Sequence, residues 1–302
     1  MTIDQTVRAL LPEIRELRGS AGPGPTLAVL GGVHGNELLG VLAVRRLIGQ
    51  LDPGSLRGRI RWAAPAHPAA WIAERRAGPD DGLNLARVFP GDPAGAPTER
   101  VAAQLTEQLI SGADLLIDLH TAGAVSDMAT LCGYHSTGPL AAAAGAAAAA
   151  FGAPFTWEHP ELAPGRSLTA AEALGVPSIY AESAGGMVLR ADDFRCYVDG
   201  LHRVMHHLGM IGAAPVPAAA SIVVVGDGNT DGGITSPADG YFVAACAAGD
   251  LVQAGAEIGR IVDESGRTTH VVPADGTGHL MLVRLTARVA PGDTLGLIAA
   301  PR

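Results

Sequence analysis

The sequence predicts an α/β protein: a mixed, largely parallel sheet flanked by helices, followed by a smaller all-β module. Three observations carry that expectation. Strand-like apolar runs alternate with helical stretches over 1–212, the pattern of a parallel sheet with crossover helices. A Pro- and Ala-rich segment over 213–220 then interrupts the pattern and reads as a linker. Beyond it, 221–302 holds only short strands and turns. At 302 residues and 48 % hydrophobic content, the chain can fill one large core and a smaller one.

The first strand is the apolar run Thr26–Leu30, which leads into Gly31-Gly32-Val33-His34-Gly35-Asn36-Glu37. A helix starts at Leu38 and ends near Gln50. Arg59–Ala64 reads as a second strand, closed by Pro65 and Pro68. The Gly-, Pro- and Asp-rich stretch from Glu74 to Pro93 is a loop holding Arg76, Asn84 and Arg87. Arginines in a long loop suit recognition of an anion, since guanidinium pairs bidentately with carboxylate. Thr98–Ser111 has helical spacing, with Val101, Leu105, Leu109 and Ile110 on one face.

Next, the strand Leu115–Leu119 delivers His120 at its end. A short strand over Ala129–Gly133 and an Ala-rich helix from Leu140 to Phe151 follow. Trp157, Glu158 and His159 are expected on a loop, then a helix over Leu168–Leu174. The strand Ser178–Ala181 brings Glu182 to its end, and a long helix covers Ala191–Leu208. In the C-terminal module Pro237-Ala238-Asp239-Gly240 recurs as Pro273-Ala274-Asp275-Gly276. Each copy is followed by a Val-x-x-Gly turn, at Val252 and at Val289. Two such units suggest a small pseudo-symmetric barrel or sandwich, similar to a biotinyl/lipoyl hammerhead, acting as a structural element, a lid or an oligomerisation surface.

Net charge of −9 argues against nucleic acid or an anionic membrane as partner. All 21 basic residues are arginine. The absence of lysine excludes a Schiff base, a Walker-type phosphate site and a lipoyl or biotinyl attachment point. Cys132, Cys196 and Cys246 lack CxxC spacing and read as free thiols in a reducing compartment. Asp4, Arg8, Glu13, Arg15, Glu16 and Arg18 leave no signal-peptide core, so a soluble cytoplasmic protein is expected.

His34-x-x-Glu37 offers an imidazole and a carboxylate three residues apart, and His120 offers a second imidazole. Two histidines and a glutamate leave the fourth position of a tetrahedral zinc open for water, the layout of a catalytic site. His-x-x-Glu alone is a weak signal, since a capping pair in a Gly-rich turn has the same spacing. Placement of both segments at strand ends, the usual ligand position in open α/β sheets, strengthens it.

Taken together, Gly-Gly-Val-His34-Gly-Asn-Glu37, Asp81-Gly-Leu-Asn84-Leu-Ala86-Arg87-Val-Phe-Pro-Gly91, Asp118-Leu-His120-Thr-Ala-Gly123 and Glu182 before Gly185-Gly186 resemble the succinylglutamate desuccinylase/aspartoacylase family, a branch of the zinc-carboxypeptidase fold. The segment Asp199–Met210 and the β-rich tail are similar to its bacterial diaminobutyrate-deacetylase-like branch. The resemblance implies one Zn2+ per chain held by His34, Glu37 and His120. It implies Glu182 as general base, Arg76 as the group polarising the scissile carbonyl, and Asn84 and Arg87 as substrate-binding residues. Arg75 stands beside Arg76, and the sequence leaves open which faces the site. The family's Asn-Leu-Asn-Arg reads Asn84-Leu85-Ala86-Arg87 here, so one carboxylate donor is missing.

The expected activity is a zinc-dependent deacylase cleaving the amide of a small N-acyl amino acid, in a possible homo-oligomer. A carboxypeptidase or ester hydrolase on the same site, or a non-catalytic binder of acylated metabolites, are the alternatives. Other signals point elsewhere. Asp227-x-Asn229-x-Asp231-Gly232 opens like a calcium loop, but its twelfth position is Ala238 and a plain turn is expected. The Gly-rich character of that stretch does not make a phosphate cradle, because its aspartates repel phosphate. His202, His206 and His207 read as a helix face, and Ala181 breaks a nucleophile elbow at Ser183. Asp118 shares a strand face with His120 and could orient it or pair with an arginine.

Overall fold

The computed structural model describes residues 10–212, 215–229 and 232–302. The expectations touching Asp4, Arg8, Ala213, Ala214 and Asp231 therefore lie outside the described residues. β1 (Arg15–Arg18) is a short charged strand at one edge of the main sheet, antiparallel to β3 (Arg59–Ala63). It carries no apolar alternation, so hydrophobic patterning does not reveal it; charge on an edge strand blunts unwanted pairing.

β2 (Thr26–Gly31) lies between β3 and β4 (Leu115–Leu119), parallel to both. β4 is followed across the sheet by β8 (Ser178–Glu182), also parallel. Each residue of β2 and β4 is buried, because helices cover both faces of the parallel sheet. Leu27, Val29 and Ile117 face α1 (Leu38–Gln50), α4 (Ala141–Phe151) and α6 (Ala191–His207). Ala28, Leu30 and Leu116 face α3 (Pro97–Gln104) and α5 (Ser167–Ala173). A fully buried leucine such as Leu30 contributes about 1.5–3 kcal/mol, and the alternation decides which helix each one meets. The helix expected over 98–111 forms in two parts: α3, then a π-helical stretch over Leu105–Ile110.

The sheet continues past β8. β6 (Leu131–His135) runs antiparallel to β8 and parallel to β7 (Phe155–His159). Two local expectations are corrected here. The strand expected at 129–133 is displaced toward the C-terminus, and Trp157, Glu158 and His159 lie on a buried strand rather than a loop. The polar Glu158 and His159 hide that strand in the sequence, yet both are satisfied: Tyr134 donates to Glu158 at 2.8 Å, and His159 bonds on both ring nitrogens.

Composition draws a boundary at 213–220, but in space the sheet crosses it. β9 (Ile222–Val225) pairs in parallel with β7 and meets the end of the last strand, β17 (Thr294–Pro301). β15 (Gly278–Arg284) follows β17, which also pairs with β10 (Ile234–Thr235), and β15 pairs in turn with β5 (Ser126–Met128). A four-stranded antiparallel sheet of β14 (Thr268–Pro273), β13 (Glu257–Val262), β11 (Gly240–Ala244) and β16 (Arg288–Val289) packs against it through Phe242, Ile258, Ile261, Leu280 and Leu295. The two repeat units exchange partners. β12 (Leu251–Val252) of the first pairs with β15 of the second, and β16 of the second pairs with β11 of the first.

Candidate metal centre and active site

Parallel register brings three strand ends to one level: Gly31, Leu119 and Ala181 stand side by side. The residues just beyond each end carry the chemistry. After β2 the chain turns through Gly35, which approaches the neighbouring backbone so closely that a Cβ there would lie 1.9 Å from the Ala70 carbonyl oxygen. That close passage lets His34 and Glu37 turn back over the sheet. His120 follows β4 directly, its N–H donating to the Ala181 carbonyl at 2.9 Å and its own carbonyl accepting from the Tyr197 hydroxyl at 2.6 Å.

His34, Glu37 and His120 are all buried, with one ligand atom from each within 4.8 Å of the others. His34 Nδ1 lies 2.7 Å from Glu37 Oε1, and His120 Nδ1 lies 3.0 Å from Glu37 Oε2. The outer ring nitrogens are also engaged. His34 Nε2 is 2.9 Å from Asn84 Oδ1, and that oxygen also accepts from the Ala86 N–H at 2.9 Å. A backbone N–H can only donate, so the Asn84 atom is the oxygen and His34 Nε2 carries the proton. His120 Nε2 is 3.1 Å from Asp118 Oδ1, whose second oxygen accepts from the Ser167 hydroxyl. His34 thus directs an Nδ1 lone pair at the Glu37 carboxylate, and His120 turns its Nδ1 toward the same carboxylate with Nε2 beside Asp118, the arrangement in which second partners orient metal-binding histidines. A His2Glu donor set with this orientation fits a divalent cation of the zinc type.

Burial pushes the Glu37 carboxyl up, but His34 and His120 outweigh it and hold Glu37 well below the usual carboxylate range. Burial lowers His34, whereas His120, although equally buried, is raised by Asp118 and Glu37. Glu182 is different. Burial pushes its carboxyl up to about 8, and its Oε2 is buried without a hydrogen-bond partner among the described residues. A buried unpaired carboxylate oxygen is costly, and such sites are where reactive groups are found.

Arg76 reaches the cluster from the cavity side, with Nη1 3.2 Å from Glu37 Oε1 and 3.3 Å from His34 Nδ1. Its neighbour Arg75 is exposed and contributes only its carbonyl to this region, accepting from the Gly35 N–H at 2.8 Å. Arg87 ends the 3-10 turn Leu85–Arg87, which Asn84 caps, and lines the same cavity as His34, His120 and Glu182. All seven residues singled out from the sequence therefore converge. Asn84 does so chiefly as the partner of His34.

Sequence reasoning missed Trp157, His159, Tyr180 and Asp227, which line the same cavity. Tyr180 could have been found, being two residues before Glu182 on one strand and hence on its face. Trp157 and His159 were hidden by the loop expectation, and Asp227 by the turn expectation. His67, for which the sequence suggested no role, caps α2 (Pro68–Ile72) and touches the Thr98 hydroxyl, which donates to Asp81 at 2.9 Å. This chain of contacts pins the loop that carries Arg76 and Asn84.

Comparison with known proteins gives consistent results. A model of the succinylglutamate desuccinylase/aspartoacylase catalytic domain matches residues 23–208. An N-alpha-acetyl-L-2,4-diaminobutyric acid deacetylase from Halomonas elongata is 32 % identical over 285 residues, covering 92 % of this chain and 83 % of that protein. A succinylglutamate desuccinylase structure from Silicibacter sp. TM1040 superposes with a TM-score of 0.89 at 26 % identity, covering 96 % of this chain and 89 % of that one. The product-bound ectoine utilization protein EutE (DoeB) from Ruegeria pomeroyi gives a TM-score of 0.88 at 26 % identity, covering 96 % and 93 %.

Proposed function

The chain belongs to the succinylglutamate desuccinylase/aspartoacylase family of amide-hydrolysing deacylases, and we propose that it is a zinc-dependent member acting on a small Nα-acyl amino acid. His34, Glu37 and His120 would hold the ion. When bound, zinc supplies Lewis acidity and lowers the pKa of water from about 15.7 to about 7. The observation that carries the catalytic reading is the Glu182 carboxyl, whose Oε2 is buried and without a hydrogen-bond partner among the described residues, on the strand next to that of His120.

Each side chain has a task that follows from its position. The Glu182 carboxylate takes a proton from the attacking water and returns it to the leaving amine nitrogen. Removing its hydration raises its basicity toward neutral pH, where proton transfer contributes about 10²–10⁴-fold. The Arg76 guanidinium donates to the carbonyl oxygen as negative charge develops there, an interaction stronger in the transition state than in the substrate. Arg87 pairs with the substrate α-carboxylate. Asn84 Oδ1 and Asp118 hold the two imidazoles in register.

The Halomonas relative makes Nα-acetyl-L-2,4-diaminobutyrate the first substrate to test. Three free cysteines suit a reducing compartment, and we place the protein in the cytoplasm. The reading is tested with a panel of N-acetyl, N-succinyl and N-formyl amino acids, assayed after chelation and again after zinc is restored. Turnover that stops on chelation and returns with zinc supports it; turnover that survives complete metal removal refutes the metal mechanism.

A further inference from the structure

Glu161, Leu162, Ala163 and Arg166 form one wall of the cavity, and a side chain with no part in the chemistry fastens that wall from behind. His135 ends β6 and stands opposite His159, the last residue of β7. Its Nδ1 lies 2.6 Å from Glu172 Oε2 on α5, the helix that follows the wall in the chain. Its Nε2 lies 3.2 Å from the Thr137 hydroxyl. That hydroxyl has a single proton, which it donates at 2.7 Å to the carbonyl of Pro160, the residue before the wall. The Thr137 oxygen is therefore left to accept from His135. One ring thus holds both ends of the 160–172 segment. A Cβ on residue 138 would lie 2.6 Å from His135 Nδ1 and 2.8 Å from Glu172 Oε1, so it is a bare glycine that lets the chain pass this close to the pair.

Between its ends the segment lies on Arg87. Gly165 has φ +76°, and a Cβ there would lie 2.1 Å from the Arg87 carbonyl oxygen. The Gly165 carbonyl accepts from the Phe89 N–H at 3.1 Å. The Thr169 hydroxyl donates to the Ala163 carbonyl at 2.8 Å, which ties the wall to α5. Asn84 fixes the start of the Leu85–Arg87 turn, and Gly165 fixes its end. A guanidinium presents its donors as a rigid fork, so a shift of the backbone at the root of Arg87 misplaces both bonds of a bidentate carboxylate pair at once.

We propose that His135, Thr137 and Glu172 are positioning residues: by clasping both ends of the 160–172 segment they set the backbone of Arg87, and with it the grip on the substrate carboxylate. This rests on the deacylase reading and deepens it. The His135 and Glu172 side chains are 19 % and 27 % exposed. Water screens the pair in part, so the clasp acts on position more than on global stability.

The test uses the zinc-loaded full chain with Nα-acetyl-L-2,4-diaminobutyrate and its α-carboxamide, which lacks the carboxylate. If another member of the acyl panel is the one turned over, it and its carboxamide take their place. Thr137→Val keeps the shape and removes the hydroxyl. KM for the acid is expected to rise by about three- to tenfold, the effect of one lost hydrogen bond. The kcat for the acid and the kcat/KM of the carboxamide should stay near wild type. Thr137→Ser keeps the hydroxyl and should keep the wild-type KM, whereas Glu172→Gln should raise it as Thr137→Val does. In an Arg87→Ala background Thr137→Val should have no further effect, since both act on one interaction. An unchanged KM, equal losses on both probes, or additive effects in the Arg87→Ala background would leave the clasp a packing feature and overturn the proposal. Should Thr137→Val fail to fold, the partly exposed Glu172→Gln decides by the same criteria. If Arg87→Ala leaves KM for the acid unmoved, the carboxylate role of Arg87 falls and this inference with it. Wild-type turnover of no member of the panel overturns the deacylase reading itself, and the inference that rests on it.

Discussion

Asn84 binds His34 through the same oxygen that caps its own turn, 2.9 Å from His34 Nε2 and 2.9 Å from the Ala86 N–H. One atom thus joins the loop that carries Arg87 to the first metal-ligand candidate, and it decides which nitrogen of His34 is left to bind. Asn84→Ala is expected to weaken zinc binding by about 10–100-fold, the usual cost of losing an outer partner of a metal-bound histidine. Competition against a calibrated chelator measures this. Asn84→Asp keeps the acceptor and should restore most of the affinity. A rise in KM with zinc affinity untouched would instead make Asn84 purely a substrate contact.

Glu182→Gln preserves shape and removes the base. We expect kcat to fall by about 10²–10⁴-fold, with zinc content per chain and substrate-analogue affinity near wild type. Calorimetric titration with the analogue, alongside steady-state rates, separates these quantities. Activity retained within a fewfold would transfer the proton-handling role to another group.

The same carboxyl makes the metal-free protein sensitive to pH. Its folded pKa of about 8 lies above the unfolded value of 4.5, so the native state binds the proton more tightly than the unfolded chain. Stability from this group is therefore complete below about pH 4.5 and lost as pH rises through about 8. Unfolding free energies of chelated protein, from denaturant titrations at pH 5.5 and 8.5, should differ by more in the wild type than in Glu182→Gln, by a few kcal/mol. Comparing the two proteins isolates what the Glu182 charge contributes, including its effect on His120 and Glu37. Zinc affinity should rise over the same interval, because a dication beside Glu182 favours its ionised form.

Arg76 and Arg87 should separate kinetically. Arg76→Ala removes a donor used as charge develops, so kcat should fall by about 10²–10³-fold. Arg87→Ala removes a carboxylate partner, so KM should rise by about tenfold to a hundredfold, while an analogue without the carboxylate is bound as before. Equal effects on both parameters from both variants would break this division of labour.

Gly35→Ala tests the turn that carries two of the ligand candidates. A Cβ 1.9 Å from the Ala70 carbonyl cannot be accommodated without moving backbone. Destabilisation of about 1–3 kcal/mol or more is expected, together with loss of zinc binding, read from the melting temperature with and without metal.

Much of this could be read from the chain before any coordinates. The apolar runs Thr26–Leu30, Leu115–Leu119 and Ser178–Ala181 and the helices behind them are local patterns, and local patterns report which residues share a face and where an element stops. They sufficed to carry His34, Glu37, His120 and Glu182 to adjacent strand ends, and the absence of lysine removed whole classes of chemistry outright. Other features depended on neighbours remote in sequence. The strand through Trp157–His159 looked like a loop because Glu158 and His159 are polar, and their partners Tyr134, Tyr180 and the Gly226 carbonyl lie elsewhere in the chain. Arg76 was separated from Arg75, and Asn84 was tied to His34, by the path of one loop across the top of the sheet. Asp227 entered the cavity wall because β9 pairs with β7. Periodicity measures burial along one segment. Hydrogen-bond partners, tautomers and charge near a site are set by the register between segments, which no single stretch of sequence contains.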